Sequence, residues 1–259
     1  MKPSQSPLIV VSNDDGITAK GIAHLVACMR QLGEVLVVAP NSPQSGMGHA
    51  ITIHDPLKIY RSDIFDGIEA YECSGTPADC IKLAKNYLLQ GRVPDLVVSG
   101  INHGSNASVS VLYSGTMSAA VEAAIEGLPA IGFSLCDYDH DADFSHTTEW
   151  VMRIARQALE HGIPKGTALN VNFPAKAQGA IKGAKICRQA KGKWQENFDA
   201  RVDPYGRKYL WLTGHFVNED KGEDTDIWAI DHGYASVVPV TSDMTAHHNI
   251  ATLNNEWDL

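Results

Sequence analysis

LIVVSNDDGITAKGIAHLV, from Leu8 to Val26, decides the reading of this chain. Four apolar residues lead into Ser12-Asn13-Asp14-Asp15-Gly16, and an apolar pattern with helical spacing follows. An unbroken, β-branched run predicts a strand covered on both faces, as in a parallel sheet. Two adjacent carboxylates at the end of such a strand repel each other and lose hydration. A bound cation would offset both costs. The competing explanation is a turn followed by a helix cap, since Asp and Asn favour both.

The same run recurs outward from this stretch, as EVLVVAP (34–40), DLVVSGI (95–101), PAIGFSL (129–135) and TALNVNF (167–173). Helical patterns lie between them. TAKGIAHLVACMRQLG closes on Gly33, a C-cap candidate, and TPADCIKLAKNYLLQG offers Thr76 as a cap with Pro77 in the first turn. GTMSAAVEAAIEGL closes on Gly127 and HTTEWVMRIARQALEHG on Gly162. Strands alternating with helices predict an α/β fold with a Rossmann-like, doubly wound, mostly parallel sheet. The catalytic core is expected over residues 1–175, with a hairpin excursion near 41–72. After Pro174, KGAKICRQA, KYLWLTG and YASVVPV read as strands between polar loops, and DMTAHHNIATLNNEW reads as a closing helix. Residues 176–259 are therefore expected to form a β-rich C-terminal arm with a terminal helix.

Composition narrows the function classes. Hydrophobic residues make up 44% of the 259, enough for a sizeable core. A formal net charge of −9 argues against binding a nucleic-acid duplex, which needs a basic face. The five cysteines contain no CxxC pair and read as small buried side chains in a reducing compartment. MKPSQSPLIVV lacks the apolar stretch of a signal peptide, and no run approaches a membrane span. A cytoplasmic protein without membrane contact is expected.

Three polar loops follow strands: the Asn13–Gly16 turn, APNSPQSGMGHAIT after the second strand, and SGINHGSN after the third. In a parallel sheet all three lie at one edge. Carboxylates, a serine hydroxyl and an asparagine amide are hard oxygen donors, suited to Mg²⁺ or Mn²⁺. A fourth element, YSGTMSAAVEAAIEG, places Ser114, Gly115 and Thr116 at the start of an alanine-rich helix. There, unpaired N–H groups and the helix dipole favour an anion, although Ser114 or Thr116 could equally be a plain cap.

Together VSNDDGITAKGI, VVAPNSPQSGMGHAIT, SGTPADC, PDLVVSGINHGSN and YSGTMSAAVEAA resemble the SurE (survival protein E) family, metal-dependent 5′/3′-nucleotidases. DTDIWAIDHGYASVVPVTSDMTAH extends the likeness into the arm. The resemblance implies one divalent cation per subunit, Mg²⁺ or Mn²⁺, on Asp14, Asp15, Ser45 and Asn102, with Asp14 or Asp15 also catalytic. It implies Asn13, Asn106, Ser114, Gly115 and Thr116 around the phosphate of a nucleoside monophosphate. It further implies a homodimer or homotetramer built through the arm.

Some features depart from the family. HGSNASVSVLYSGT lacks the acidic residues that many members carry there, and SGMGHAIT places His49 near the pocket entrance. His247-His248 reads as solvated or hinge-packing rather than metal-binding. A broad acid phosphatase or exopolyphosphatase on the same residues is the alternative enzyme. A non-catalytic, Mg²⁺-binding receiver-like module is disfavoured, because Asn102 stands at its phosphoacceptor position and no matching Lys follows. DTDIW (224–228) imitates a phosphatase nucleophile motif but lies far from the first strand.

Overall fold

Leu8–Ser12 forms the first strand, β1, and all five of its residues are buried, as its apolar run requires. The computed structural model describes residues 6–139 and 141–258. After β1 come α1 (Lys20–Met29), β2 (Glu34–Pro40), β3 (Ile59–Arg61), β4 (Glu69–Cys73) and α2 (Pro77–Leu83). Then follow β5 (Leu96–His103), α3 (Gly115–Ile125), β6 (Ala130–Leu135), α4 (Thr148–His161) and β7 (Thr167–Phe173). The chain ends with β8 (Ala184–Ile186), β9 (Gly192–Val202), β10 (Lys208–Asn218), α5 (Asp226–Asp231), β11 (Ala235–Thr241) and α6 (His247–Glu256).

Nine strands form one sheet in the order β3-β4-β2-β1-β5-β6-β7-β11-β8. The run from β4 to β7 is parallel throughout. One face packs against α1 and α4 through Ile22, Leu25, Met29, Val151 and Ala155. The other packs against α2 and α3 through Cys80, Ile81 and the alanines Ala119, Ala120, Ala123 and Ala124. Those alanines let α3 lie close to the sheet. The chain winds outward in opposite directions from β1 and β5, so loops diverge there and leave a crevice beyond the strand ends.

Local signals explain the helix ends. Thr76 and Asp79 form a reciprocal capping box with Pro77 in the first turn, and Ser114 caps α3. Gly127 and Gly162 take positive φ just past α3 and α4. Gly33 is not a cap: Arg30 is, and a Cβ on Gly33 would lie 2.1 Å from the Pro7 carbonyl.

Two regions differ from the sequence reading. In residues 41–72, β3 and β4 do pair antiparallel, but β4 also pairs parallel with β2 and so belongs to the main sheet. After residue 175, β11 pairs antiparallel with β7 and parallel with β8, and buries Val237 and Val238. These strands extend the central sheet rather than leave it. The β9–β10 hairpin forms a separate two-stranded ribbon, and α6 has no buried residue.

Candidate active site

The acidic turn after β1 is held from inside. Asn13 Nδ2 donates to the Gly16 carbonyl at 2.8 Å, while the buried Asn13 Oδ1 has no hydrogen-bond partner among the described residues. Asp14 is 3% exposed, and its Oδ1 accepts from the Thr116 hydroxyl. Burial, then the neighbouring Asp15 charge, pushes its carboxyl up to about 6. Only hydrogen bonds act in the opposite direction. Asp15 is less buried, its Oδ2 lies 3.4 Å from the His103 backbone N–H, and burial raises its pKa as well.

The other loops converge on this turn. The backbone N–H of Gln44 donates to the Asp14 carbonyl at 2.7 Å, which ties the Ser45 loop to the acidic turn. The ladder between β5 and β6 slips between Ser99 and Asn102, re-aiming the end of β5. Asn102 spends both amide hydrogens on the carbonyls of His103 (3.1 Å) and Gly104 (2.8 Å), so its Oδ1 remains as an acceptor.

Asn106 is gripped by the neighbouring strands. Its backbone N–H donates to Asn172 Oδ1 (2.8 Å), its carbonyl accepts from Asn170 Nδ2 (2.8 Å), and its own amide donates to Ser134 Oγ (2.9 Å). Asn172 Nδ2 completes the set by donating to Asn170 Oδ1. Every member is buried, so the network is rigid in the way a satisfied polar core is.

A cavity of about 610 Å³ joins these groups. Its lining includes the polar residues Asp14, Ser45, Asn102, Asn106 and Ser114. It also includes Tyr113, Tyr138, Trp194, Glu196 and Leu212. Asn13, Asp15, Gly115 and Thr116 are not among the residues that line it. Thr116 is fully buried, and its hydroxyl donates to Asp14. A Cβ on Gly115 would lie 2.6 Å from the Asp14 Cβ, so its smallness lets α3 close on the aspartate. Ser114 caps Met117 N–H through its oxygen and still faces the cavity. A second, larger cavity of about 740 Å³ shares Ser114 but contains neither acidic residue of the turn. His49 lines that second cavity.

The donor set fits a hard cation. Among the described residues no three His, Cys, Asp or Glu side chains gather as a metal cluster, so a thiolate or imidazole site of the zinc type is not offered. What the turn offers is oxygen: a buried carboxylate with raised proton affinity, its acidic neighbour, and the unpartnered Asn13 Oδ1 beside them.

Asp226 of the DTDIW segment is a structural anchor. It is fully buried and accepts from the backbone N–H groups of Ser108 (2.8 Å) and Ala190 (2.9 Å), while Asp224 pairs with Arg188. His247 bonds Asp243 on the surface. Sequence reasoning missed Asn170, Asn172 and Ser134, although two asparagines two apart in an apolar strand were a visible signal. It also missed Trp194, Glu196 and Leu212, which come from a polar hairpin with no motif.

The sequence model of the family described as Survival protein SurE matches residues 9–196. A protein of Cytophaga hutchinsonii named 5'-nucleotidase SurE is 64% identical, over 97% of this chain and 97% of its own. One of Flavobacterium psychrophilum with the same name is 59% identical, over 98% of each. The crystal structure of a SurE protein from Aquifex aeolicus superposes with a TM-score of 0.83 at 37% identity, covering 97% of this chain and 100% of that one. With the fold, the acidic turn and these matches in agreement over nearly its full length, the chain belongs to the SurE family.

Proposed function

We propose that this chain is a divalent-metal-dependent 5′/3′-nucleotidase, hydrolysing nucleoside monophosphates to nucleoside and phosphate. The carrying observation is the cavity itself, whose lining combines the buried Asp14 carboxylate and the amide or hydroxyl residues Ser45, Asn102, Asn106 and Ser114 with Tyr113, Tyr138 and Trp194. The polar groups suit a phosphate and the aromatic rings a base. The relatives named 5'-nucleotidase support this reading.

Asp14, Asp15, Ser45 and Asn102 would hold a Mg²⁺ or Mn²⁺ ion, which would supply Lewis acidity toward a phosphoryl oxygen and toward water. The remaining work falls to the protein. One carboxylate of the pair, Asp14 or Asp15, takes the proton of the attacking water. The Asn106 amide and the Ser114 hydroxyl, at the positive end of α3, donate to the equatorial oxygens. Asn170 and Asn172 hold the Asn106 peptide so that this donor needs no reorganisation during reaction. Tyr113, Tyr138 and Trp194 offer faces on which a base stacks. No helix among the described residues is long and apolar enough to cross a membrane.

Phosphate release from 5′- and 3′-nucleotides, p-nitrophenyl phosphate and polyphosphate, with and without EDTA, tests the proposal. It requires nucleotides to be the preferred substrates, EDTA to abolish release, and Mg²⁺ or Mn²⁺ to restore it. Equal turnover of all substrates, or full activity in verified metal-free protein, overturns it.

A further inference from the structure

We propose that His49 is a positioning residue, whose hydrogen bond to the buried Glu122 carboxylate latches the Ser45 loop in place for cation binding. This rests on the reading of Ser45 as a ligand given above.

The loop between Asn41 and Ala50 has little packing to define it. Asn41 to Pro43, Ser45 to Met47 and His49 are all exposed. Gly46 and Gly48 take positive φ, and a side chain on Gly46 would meet nothing within 4 Å. Such a stretch has much conformational freedom to lose, and Ser45 inherits it. Its geometry must come from ties on either side. Before Ser45 stands the bond from Gln44 N–H to the Asp14 carbonyl. After it, Gly48 N–H donates to the Tyr113 carbonyl at 3.2 Å, and His49 Nε2 lies 2.9 Å from Glu122 Oε2.

Glu122 is unexpected where it is. It sits on α3 among the alanines that pack on the sheet, and is 3% exposed. A buried carboxylate is costly unless paired, and Lys82 of α2 supplies the charge by donating to Oε1 at 2.5 Å. The ion pair would be complete with one oxygen. The second oxygen is kept for the loop, and since an ionised carboxylate only accepts, the His49 ring must donate to it. The carboxylate thus joins α2, α3 and the Ser45 loop at one point. Because the first turn of α3 also holds Asp14 through Thr116, one helix fixes two of the proposed ligand-bearing loops. Groups that orient ligands in this indirect way are worth about 10- to 100-fold in metal affinity or activity.

The alternative is that Glu122 and Lys82 merely join two helices and His49 contributes nothing. His49→Ala, at a side chain 34% exposed, leaves that ion pair in place. Two measurements on it decide the matter: Mn²⁺ affinity by electron paramagnetic resonance, and amide exchange of residues 46–48 in the metal-free protein. The latch requires Mn²⁺ affinity about 10-fold weaker or more, faster exchange, and recovery of both in His49→Gln, whose amide donates from a similar reach. Wild-type affinity or wild-type exchange in His49→Ala overturns the latch, as does equal loss in His49→Gln. Failure of the unaltered protein to bind Mn²⁺ overturns the ligand set itself, and the latch with it.

Discussion

The Thr116 hydroxyl donates to the Asp14 carboxylate, so the first turn of α3 is built onto the acidic turn. Thr116→Val keeps the shape and removes the donor, leaving a buried carboxylate short of a partner. The expected result is a kcat/KM lower by about 10- to 100-fold, a barrier change of roughly 1.4–3 kcal/mol. Thr116→Ser should recover most of it. Weaker inhibition by phosphate with unchanged Mn²⁺ affinity would instead return the hydroxyl to the phosphate.

Gly115 extends the same contact. A methyl there would press on the Asp14 side chain from 2.6 Å, inside any normal carbon contact, and the aspartate is buried with nowhere to retreat. Gly115→Ala should therefore lose Mn²⁺ binding, not just affinity for inorganic phosphate. Titrating both ligands into the variant distinguishes the two, and intact Mn²⁺ loading would show that α3 can yield.

The acidic turn also sets a pH dependence. Asp14 has its carboxyl raised from 3.8 to about 6, so the metal-free native state holds a proton that the unfolded chain has released. Its stabilising contribution is complete below about pH 3.8 and is lost as pH rises through about 6. That contribution is on the order of 3 kcal/mol. Metal-free Asp14→Asn should then be more stable than the unaltered protein near neutral pH, with the gap closing toward pH 4. Thermal unfolding of both across that range in EDTA checks the sign. Cation affinity should rise with pH over the same interval, because proton and metal compete for one carboxylate.

The parts legible in the sequence were those whose physics is local. Ile9, Val10 and Val11 announce a buried strand because both faces need apolar cover, and Thr76 with Pro77 and Asp79 announces a helix start through its own hydrogen bonds. Asp14, Asn102 and Ser114 stood out as polar residues closing apolar runs. β9 did not, because Lys193, Gln195, Glu196 and Asp199 lie on a ribbon exposed on both faces and no alternation marks it. α5 is six residues long and leaves no period to read. The placement of β8 and β11 in the main sheet depends on pairing partners far away in the chain. The partner of Thr116 was not legible for a related reason. A hydroxyl at a helix start suits a cap, an anion or a carboxylate equally, and only the approach of the β1 turn selects among them.

The β9–β10 hairpin exposes apolar side chains that a lone ribbon would not keep in water. A two-stranded ribbon is marginal alone in water, and this one leaves Phe198, Leu210, Trp211 and Leu212 each about 60% exposed. α6 likewise presents Ile250 and Leu253 with no residue buried, and Trp257 just past its end is exposed as well. Apolar surface of this extent on one arm marks an association face. We expect a homodimer or homotetramer, with closed symmetry hiding the face on each copy. Light scattering on the full chain at micromolar concentration checks the mass. Trp211→Asp should shift it toward monomer, and because Trp211 lies outside the cavity lining, the fold of the central sheet should survive. A stable monomer in the unaltered protein would mean that these side chains serve no partner of their own kind.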